Sequence, residues 1–178
     1  MEGSLMKTKD LTRTALMTAV LCILAPISIP VPVSSVALTL ATFALYLMAH
    51  ILNPKQTLAA VGIYLLLGAV GLPVFSGYMA GISRFAAPGG GYLIGYLFLV
   101  GISGWFIHEH SNVPMQVLGM FLGTLVMYCI GTFWLAYTTG ISFLSALPAG
   151  MFVFLPLDIL KILLASYIGR KMQKQIKQ

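Results

Sequence analysis

The sequence predicts an all-α membrane protein with six transmembrane helices. Hydrophobic residues make up 59% of the 178 residues and charged residues only 8%, a composition far from that of a water-soluble domain. Long apolar runs, bounded by proline, glycine or charged residues, recur along the whole chain. Because roughly 20 apolar residues are needed to cross a bilayer, the chain has room for about six helices and short loops. We therefore expect residues 1–178 to form a single integral membrane domain.

Six apolar runs are the candidate transmembrane spans. The first ends at the proline-rich segment PISIPVPVSS, the second at NPK and the third at GLP. A long interruption follows the third run, and polar or glycine-containing turns separate the last three. The predicted spans, numbered in chain order, are 12–29, 36–52, 56–71, 92–107, 113–137 and 147–169.

The basic residues predict how these spans are oriented. Most of them lie before span one, between spans two and three, or after span six, and an even number of spans places all these positions on one side of the membrane. The positive-inside rule identifies that side as the cytoplasm of a multi-pass protein in the cell membrane. The N-terminal segment 1–10, whose opening MEGSL precedes a second methionine and is interpreted as partly an expression tag, is then cytoplasmic, as is the basic tail 170–178. The net charge of +6 follows from this topology and favours contact with anionic lipid, whereas no soluble basic face is available for nucleic acid.

The longest interruption of the apolar pattern, residues 74–91, lies on the outer side in this topology. Backbone at membrane depth needs protein or a water-filled cavity as its hydrogen-bond partner, because lipid offers none. The segment is therefore predicted to fold over the bundle as a lid between helices 3 and 4, and a merely flexible connection is the alternative. Glycines, which allow positive φ and close approach of backbone to a ligand, favour the lid. They are Gly77, Gly81, Gly89, Gly90 and Gly91.

An acid and a base interrupt span six. Asp158 and Lys161 are three residues apart and therefore share one face of a helix, about halfway along the span. A charge at that depth costs several kcal/mol, so such residues usually face a protein interior or a ligand path. They offer one acceptor and one donor to a polar ligand, with Pro156 kinking the helix at the site. Alternatively, they neutralise each other and only hold the helices together.

Arg84 is the charged residue of the predicted lid. No acid is near it in sequence, and its guanidinium group suits a carboxylate or a phosphate. It either reaches the outer lipid headgroups or hangs over a cavity floored by Asp158 and Lys161. In the second case the site has a net positive charge, which favours a small anionic or zwitterionic ligand. Aromatic candidates for the apolar walls are Phe75, Tyr78, Phe85, Tyr92, Tyr96 and Trp134.

The sequence lacks the motifs of several classes of protein. There is no G-x-x-x-x-G-K-[ST] sequence for a P-loop, and the predicted topology puts the histidines and the lid serines on opposite sides, against a serine hydrolase. No filter pattern suggests a channel, and neither a metal nor a cofactor is expected. On span one, Ala15 and Ala19 form a small-xxx-small face suited to close helix contact, either internal or with a partner. A helical chain with one charged pocket and no energy source is best interpreted as a binding subunit of a larger assembly.

Two stretches, in this order, resemble the BioY family, the biotin-specific S components of energy-coupling factor (ECF) transporters. They are YLLLGAVGLPVFSGYMAGISRFAAPGGGYLIGY at 64–96 and PLDILKILLA at 156–165. The resemblance covers nearly the whole chain from Leu11 to the basic tail. One departure is visible at 87–92, where this chain has APGGGY and family members commonly have Gly-Pro-Thr-Gly-Gly-Tyr, so that a threonine hydroxyl is missing from the lid.

The resemblance implies a six-helix S-component fold with a vitamin site near the outer face, beneath the lid. It implies a protein that is not an enzyme but captures biotin with high affinity for uptake, beside an EcfT-like transmembrane coupling protein and two ABC ATPases. Ala15 and Ala19 match the family's Ala-x-x-x-Ala docking motif. Asp158 and Lys161 match the polar pair that contacts biotin, with the lid residues expected near the ligand being Arg84, Gly90, Gly91 and Tyr92. An S component for another small vitamin and an intramembrane enzyme using Asp158 are the alternatives.

Overall fold

The structure is a computed structural model that describes residues 8–32 and 34–176. It is mostly helical, as the sequence predicts. The helices are α1 (Thr8–Leu24), α2 (Ala41–Ile51), α3 (Pro54–Ala69), α4 (Ser83–Ala86), α5 (Gly90–Glu109), α6 (Val113–Thr139), α7 (Phe143–Leu147) and α8 (Leu155–Ile176). Two short strands, β1 (Ser28–Ile29) and β2 (Leu38–Thr39), lie between α1 and α2.

Helix boundaries follow local chemistry. At the start of α3, the Asn53 side chain accepts a hydrogen bond from the Gln56 backbone and the Gln56 side chain accepts one from the Asn53 backbone, which is a capping box. Pro54 fills the first helical position, where its missing N–H costs nothing. At the other end of the bundle, Gly140 ends α6 with φ of 72°, a conformation that glycine adopts without strain.

The proline-rich connection forms a small hairpin where the sequence predicted ends of spans. β1 pairs antiparallel with β2, with Ser28 opposite Thr39 and Ile29 opposite Leu38. The predicted boundaries at 29 and 36 are therefore wrong, since α1 ends at Leu24 and α2 begins only at Ala41. Pro26 and the prolines that follow remove backbone donors and prevent the helix from continuing. The hairpin brings Thr39 to the edge of the interior, which matters for the site below.

Predicted span six is broken instead of continuous. The α7 helix runs into a π-helical turn at Pro148–Phe152, and this pair of elements meets α8 at an angle of 41°. Prolines at 148 and 156 lack the N–H groups that would extend one regular helix across the junction. Consequently, Asp158 lies in the first turn of α8, directly after the bend. A carboxylate is favourable there because the helix dipole makes the N-terminus partly positive.

The helices pack closely because glycines remove side chains at the contacts. Along the antiparallel pair α5 and α6, Gly95 lies against Met127, Gly123 against the backbone of Leu99, and Gly91 against Trp134. The α2 helix is buried along most of its length and contacts α1, α5 and α8. Within residues 8–32 and 34–176, two helices, α5 and α6, are long and apolar enough to cross a membrane, and the bent pair of α7 and α8 makes a third if it is one span. The six-span topology remains a prediction.

Candidate functional site

Asp158 and Lys161 form a buried ion pair. The Lys161 Nζ lies 2.7 Å from the Asp158 Oδ1, and the exposed fractions of the two side chains are 13% and 4%. Both residues lie at the start of α8, just after the helix break, and face α2 and α6. The sequence spacing predicted this juxtaposition.

Other elements complete the hydrogen bonds of this pair. The Thr42 hydroxyl on α2 donates to Asp158 Oδ1 at 3.0 Å, and the Tyr128 hydroxyl on α6 donates to Asp158 Oδ2 at 2.6 Å. Lys161 Nζ also donates to the carbonyl oxygen of Thr39 at 2.8 Å and to the Thr42 hydroxyl at 3.0 Å. All three ammonium protons thus have acceptors, and the network connects β2, α2, α6 and α8. The pair holds helices together, and both interpretations from the sequence remain open.

The ion pair lies at one end of a concave interior. It lines a narrow recess together with the rings of Tyr92, Tyr96 and Phe154. A larger cavity of about 550 Å³ adjoins this recess and shares with it Val36, Ala37, Thr39, Tyr92 and Tyr96. Because the two spaces share a wall of five residues, we treat them as one site with a polar end at Asp158 and Lys161. Its volume is in the range of about 300–1,000 Å³ that small-molecule sites occupy.

The segment 74–91 forms one side of the larger cavity. Backbone hydrogen bonds attach it to the rest of the protein, since the Gly77 N–H donates to the Pro26 carbonyl at 3.1 Å and the Gly81 N–H donates to the Gly68 carbonyl at 2.7 Å. Gly77 and Gly81 adopt φ of 69° and 97°, where a side chain would strain the backbone. The segment includes a 3-10 turn at Ser76–Tyr78 and the short helix α4, so it is a folded cover over this side of the interior.

Arg84 lies in this cover. It lines the larger cavity, is half-buried, and its guanidinium donates to the Met79 sulfur. Within 8–32 and 34–176, the only ion pair is that of Lys161 with Asp158, so no described carboxylate neutralises Arg84. Arg84 and Lys161 therefore line the two parts of one site without touching each other.

Of three neighbouring candidates for ligand contact, one lines the site and two do not: Tyr92 lines it, whereas Gly90 and Gly91 pack against neighbouring elements. The Tyr92 ring lines both parts of the site, and its hydroxyl donates to the Gly150 carbonyl at 2.7 Å. Neither Gly90 nor Gly91 is among the described residues that line the cavity. Instead, a side chain at Gly90 would meet the backbone of Phe85 and one at Gly91 would meet Trp134. These two glycines let the cover and α6 approach the start of α5 and so position Tyr92.

The predicted aromatic walls are partly in place. Phe75, Tyr92 and Tyr96 line the cavity. Tyr78 is 68% exposed and lies outside it. Trp134 instead donates through its indole N–H to the Ala87 carbonyl at 3.1 Å, which attaches the cover to α6.

Sequence reasoning missed several residues of the site. The main omissions are Thr39, Thr42 and Tyr128, which complete the polar network, and Tyr64 and Phe154, which line the walls. Thr39 and Thr42 lie three residues apart in an otherwise apolar run, and this spacing could have indicated a polar contact on that side of the predicted helix. The Tyr128 contact had no signal, because it joins residues 30 positions apart on different helices.

Ala15 and Ala19 lie on the exposed face of α1. The opposite face is buried through Thr14, Met17, Thr18 and Leu21. The described residues therefore leave both alanines exposed, and the docking role of this small-residue face stays a prediction.

Comparison with known proteins identifies the family. A family model for BioY matches residues 1–178. The chain belongs to the BioY family. Relatives of this BioY chain include the biotin transporter BioY2 of Lactococcus lactis subsp. cremoris (strain MG1363), 34% identical over 92% of this chain and 89% of that protein. The probable biotin transporter BioY of Pyrococcus horikoshii is 35% identical over 94% and 98% of the two chains.

A solved structure agrees with the BioY fold. The crystal structure at 2.1 Å of the S-component for biotin from an ECF-type ABC transporter matches this chain with a TM-score of 0.88 and 31% identity. The match covers 96% of this chain and 95% of that chain. The predicted all-α S-component fold is thereby confirmed.

Proposed function

We propose that this BioY protein is a substrate-binding membrane subunit, an S component, that captures biotin with high affinity for ATP-driven uptake by an ECF transporter. The observation that carries the proposal is the buried ion pair of Asp158 and Lys161 at the polar end of the cavity. It is supported by relatives named biotin transporters and by the likeness to an S-component for biotin. Both point to a transport subunit and not to an enzyme.

The site suits the chemistry of biotin. The ureido ring of biotin has two N–H donors and one carbonyl acceptor, which complement a carboxylate and an ammonium group. Among the described residues, Asp158 Oδ2 accepts a hydrogen bond only from the Tyr128 hydroxyl and has lone-pair capacity left, while Lys161 can exchange its bond to the Thr39 carbonyl for a ligand oxygen. The apolar bicyclic body and valeryl chain would lie against Tyr64, Phe75 and Tyr96.

Two ligand orientations fit this arrangement. In the preferred one, the ureido ring meets Asp158 and Lys161, and the valerate carboxylate pairs with Arg84 across the larger cavity. In the other, the carboxylate pairs with Lys161. Arg84 favours the first orientation, because no described acid neutralises it and its fork binds a carboxylate through two hydrogen bonds.

Direct binding tests the proposal. Titration calorimetry of the detergent-purified protein with biotin is expected to give one tight site, and denaturation should then release biotin chemically unchanged, identified by mass. Release of a different vitamin would indicate an S component of other specificity. A chemically altered product would indicate the enzyme alternative.

Arg84→Gln tests the ligand orientation. It is expected to weaken biotin binding at least about tenfold, since a charge-assisted hydrogen bond contributes roughly 1.5–3 kcal/mol. Biotin methyl ester, which has no carboxylate, should bind wild type and variant equally. Both ligands are measured by calorimetry, with Arg13→Gln on α1 as the charge-matched control. Equal losses for acid and ester would contradict the assigned pairing.

The cover 74–91 acts in this proposal as the lid, opening to the outer side in a six-span topology with cytoplasmic termini. Docking occurs through α1 onto an EcfT-like coupling protein that carries two ABC ATPases, and tilting of the S component then presents the site to the cytoplasm. The exposed alanine face of α1 supports this assignment.

Ala15→Leu tests the docking surface. The larger side chain is expected to prevent close helix approach and to abolish co-purification with the coupling module, while biotin affinity stays unchanged because Ala15 is not among the described residues that line the cavity. Leu16→Ala, on the same exposed side of α1, is the control. Retention of the complex by Ala15→Leu would rule out this surface.

A further inference from the structure

A second concave surface lies at the other end of the bundle. It is a groove of about 460 Å³ between the first turns of α6 and the last turns of α8. Its apolar walls are Val113, Val117, Leu163 and Tyr167. None of the residues that line the groove lines the recess or the larger cavity, so the groove is separate from the candidate biotin site.

Two polar residues of this groove have buried atoms with no hydrogen-bond partner among the described residues. Ser166 is 3% exposed, and its hydroxyl has no hydrogen-bond partner within the described chain. The same holds for one terminal nitrogen, Nη1, of the Arg170 guanidinium. Buried polar groups are nearly always hydrogen-bonded, so two such donors in one groove indicate an acceptor that comes from outside the described residues.

The electrostatics of the groove also favour an anion. Arg170 and Lys171 both line it, and neither is within ion-pair distance of a described carboxylate, including the exposed Glu109 at the end of α5. The N-terminus of the 27-residue helix α6 reaches the groove at Val113. Its N-cap residue, Asn112, makes no side-chain capping bond, which leaves backbone N–H groups and the positive end of the helix dipole available.

We propose that this groove binds an anionic phospholipid, with the phosphate at Ser166, Arg170 and Lys171 and an acyl chain along the apolar walls. The apolar walls of the groove favour a lipid over a free phosphate. Leu163 is 53% exposed and Tyr167 is 73% exposed, so an apolar surface continues outward from the phosphate position, as an acyl chain requires. Tyrosine is also common at the headgroup level of membranes. In the proposed topology this end faces the inner leaflet, where basic residues attract anionic lipid.

Native mass spectrometry of the full-length protein tests this inference, with phosphatidylglycerol and phosphatidylcholine of identical acyl chains as probes. Wild type is expected to prefer phosphatidylglycerol, and Arg170→Gln/Lys171→Gln to lose that preference by about tenfold or more. The matched control is Lys9→Gln/Arg13→Gln, which removes two positive charges from α1. Equal losses in both double variants, or no preference in wild type, would overturn the inference.

Ser166→Ala separates ligand binding from folding. It removes the unpartnered hydroxyl without adding volume, so the unfolding temperature without added lipid should stay the same or rise. The rise in unfolding temperature on adding phosphatidylglycerol should shrink. If the lipid effect is unchanged, the hydroxyl is not part of the site. If inorganic phosphate stabilises wild type as much as the lipid does, the groove takes a free anion and the lipid assignment fails. Biotin binding is expected to be normal in all these variants.

Discussion

Asp158→Asn is expected to weaken biotin binding at least about tenfold and to lower the stability of the protein. The amide keeps the shape of the side chain but removes the negative charge that faces Lys161 Nζ at 2.7 Å. It also places an NH₂ group where a hydroxyl or an ammonium group now donates. Breaking a buried ion pair by removing one partner typically costs about 3–5 kcal/mol, because the other charge stays buried and uncompensated.

A double variant separates the ligand-binding role from the structural one. Asp158→Asn/Lys161→Gln removes both charges, so it should recover much of the unfolding temperature lost by Asp158→Asn. If the pair contacts biotin, affinity should stay low despite this recovery. Calorimetry with biotin and thermal unfolding in detergent give the two quantities independently. Wild-type affinity in the double variant would mean that the pair only holds the helices together.

Tyr128→Phe is the graded control for this series. It removes one hydrogen bond to Asp158 Oδ2 while leaving both charges and the aromatic ring in place. A hydrogen bond to a charged group contributes roughly 1.5–3 kcal/mol. The loss of biotin affinity and the loss of stability should therefore both be smaller than those caused by Asp158→Asn. A larger effect from Tyr128→Phe would indicate that the tyrosine itself is the principal ligand contact.

The charged core of the site was predictable because its signal is local. An acid and a base three residues apart in an apolar run must share a helical face, and neither is stable there without a polar partner or a cavity. Their partners were not predictable in the same way. Thr42 is 116 positions from Asp158, and no periodicity within one span reveals which hydroxyl on another helix will reach it.

The two errors in the predicted secondary structure share one cause, which differs from the reason that the partners of Asp158 were missed. Apolar composition continues through the junction of α7 and α8, so hydropathy indicates one span where the backbone forms a π-turn and bends by 41°. Similarly, the prolines near residue 30 predicted an interruption but not the pairing of Ser28 with Thr39. In both places the backbone conformation depends on missing N–H groups and on tertiary contacts, which average hydrophobicity does not record. These two deviations place Asp158 and Thr39 at the site.

Gly91→Ala is expected to lower both stability and biotin affinity, although Gly91 is not one of the described lining residues. A Cβ at this position would lie 2.3 Å from the Trp134 Cβ and 3.0 Å from the Ile130 carbonyl oxygen. Neither atom can move without its helix, so α5 and α6 must separate, and overpacking of this kind typically costs about 1–3 kcal/mol. Tyr92 follows directly, so the displacement should also disturb its hydrogen bond to Gly150 and the cavity wall.

Gly62→Ala in α3 is the matched control for this substitution. Nothing lies within 4 Å of a Cβ built at Gly62, so alanine should be neutral or stabilise by roughly 0.5–1 kcal/mol through its higher helix propensity. Thermal unfolding and biotin calorimetry on both variants distinguish a specific contact from a general effect of adding methyl groups to helices. Because the obstructing atoms are the Trp134 Cβ and a backbone oxygen, Trp134→Ala should not rescue Gly91→Ala. Rescue would show that the indole ring, and not the helix spacing, sets the position of Tyr92.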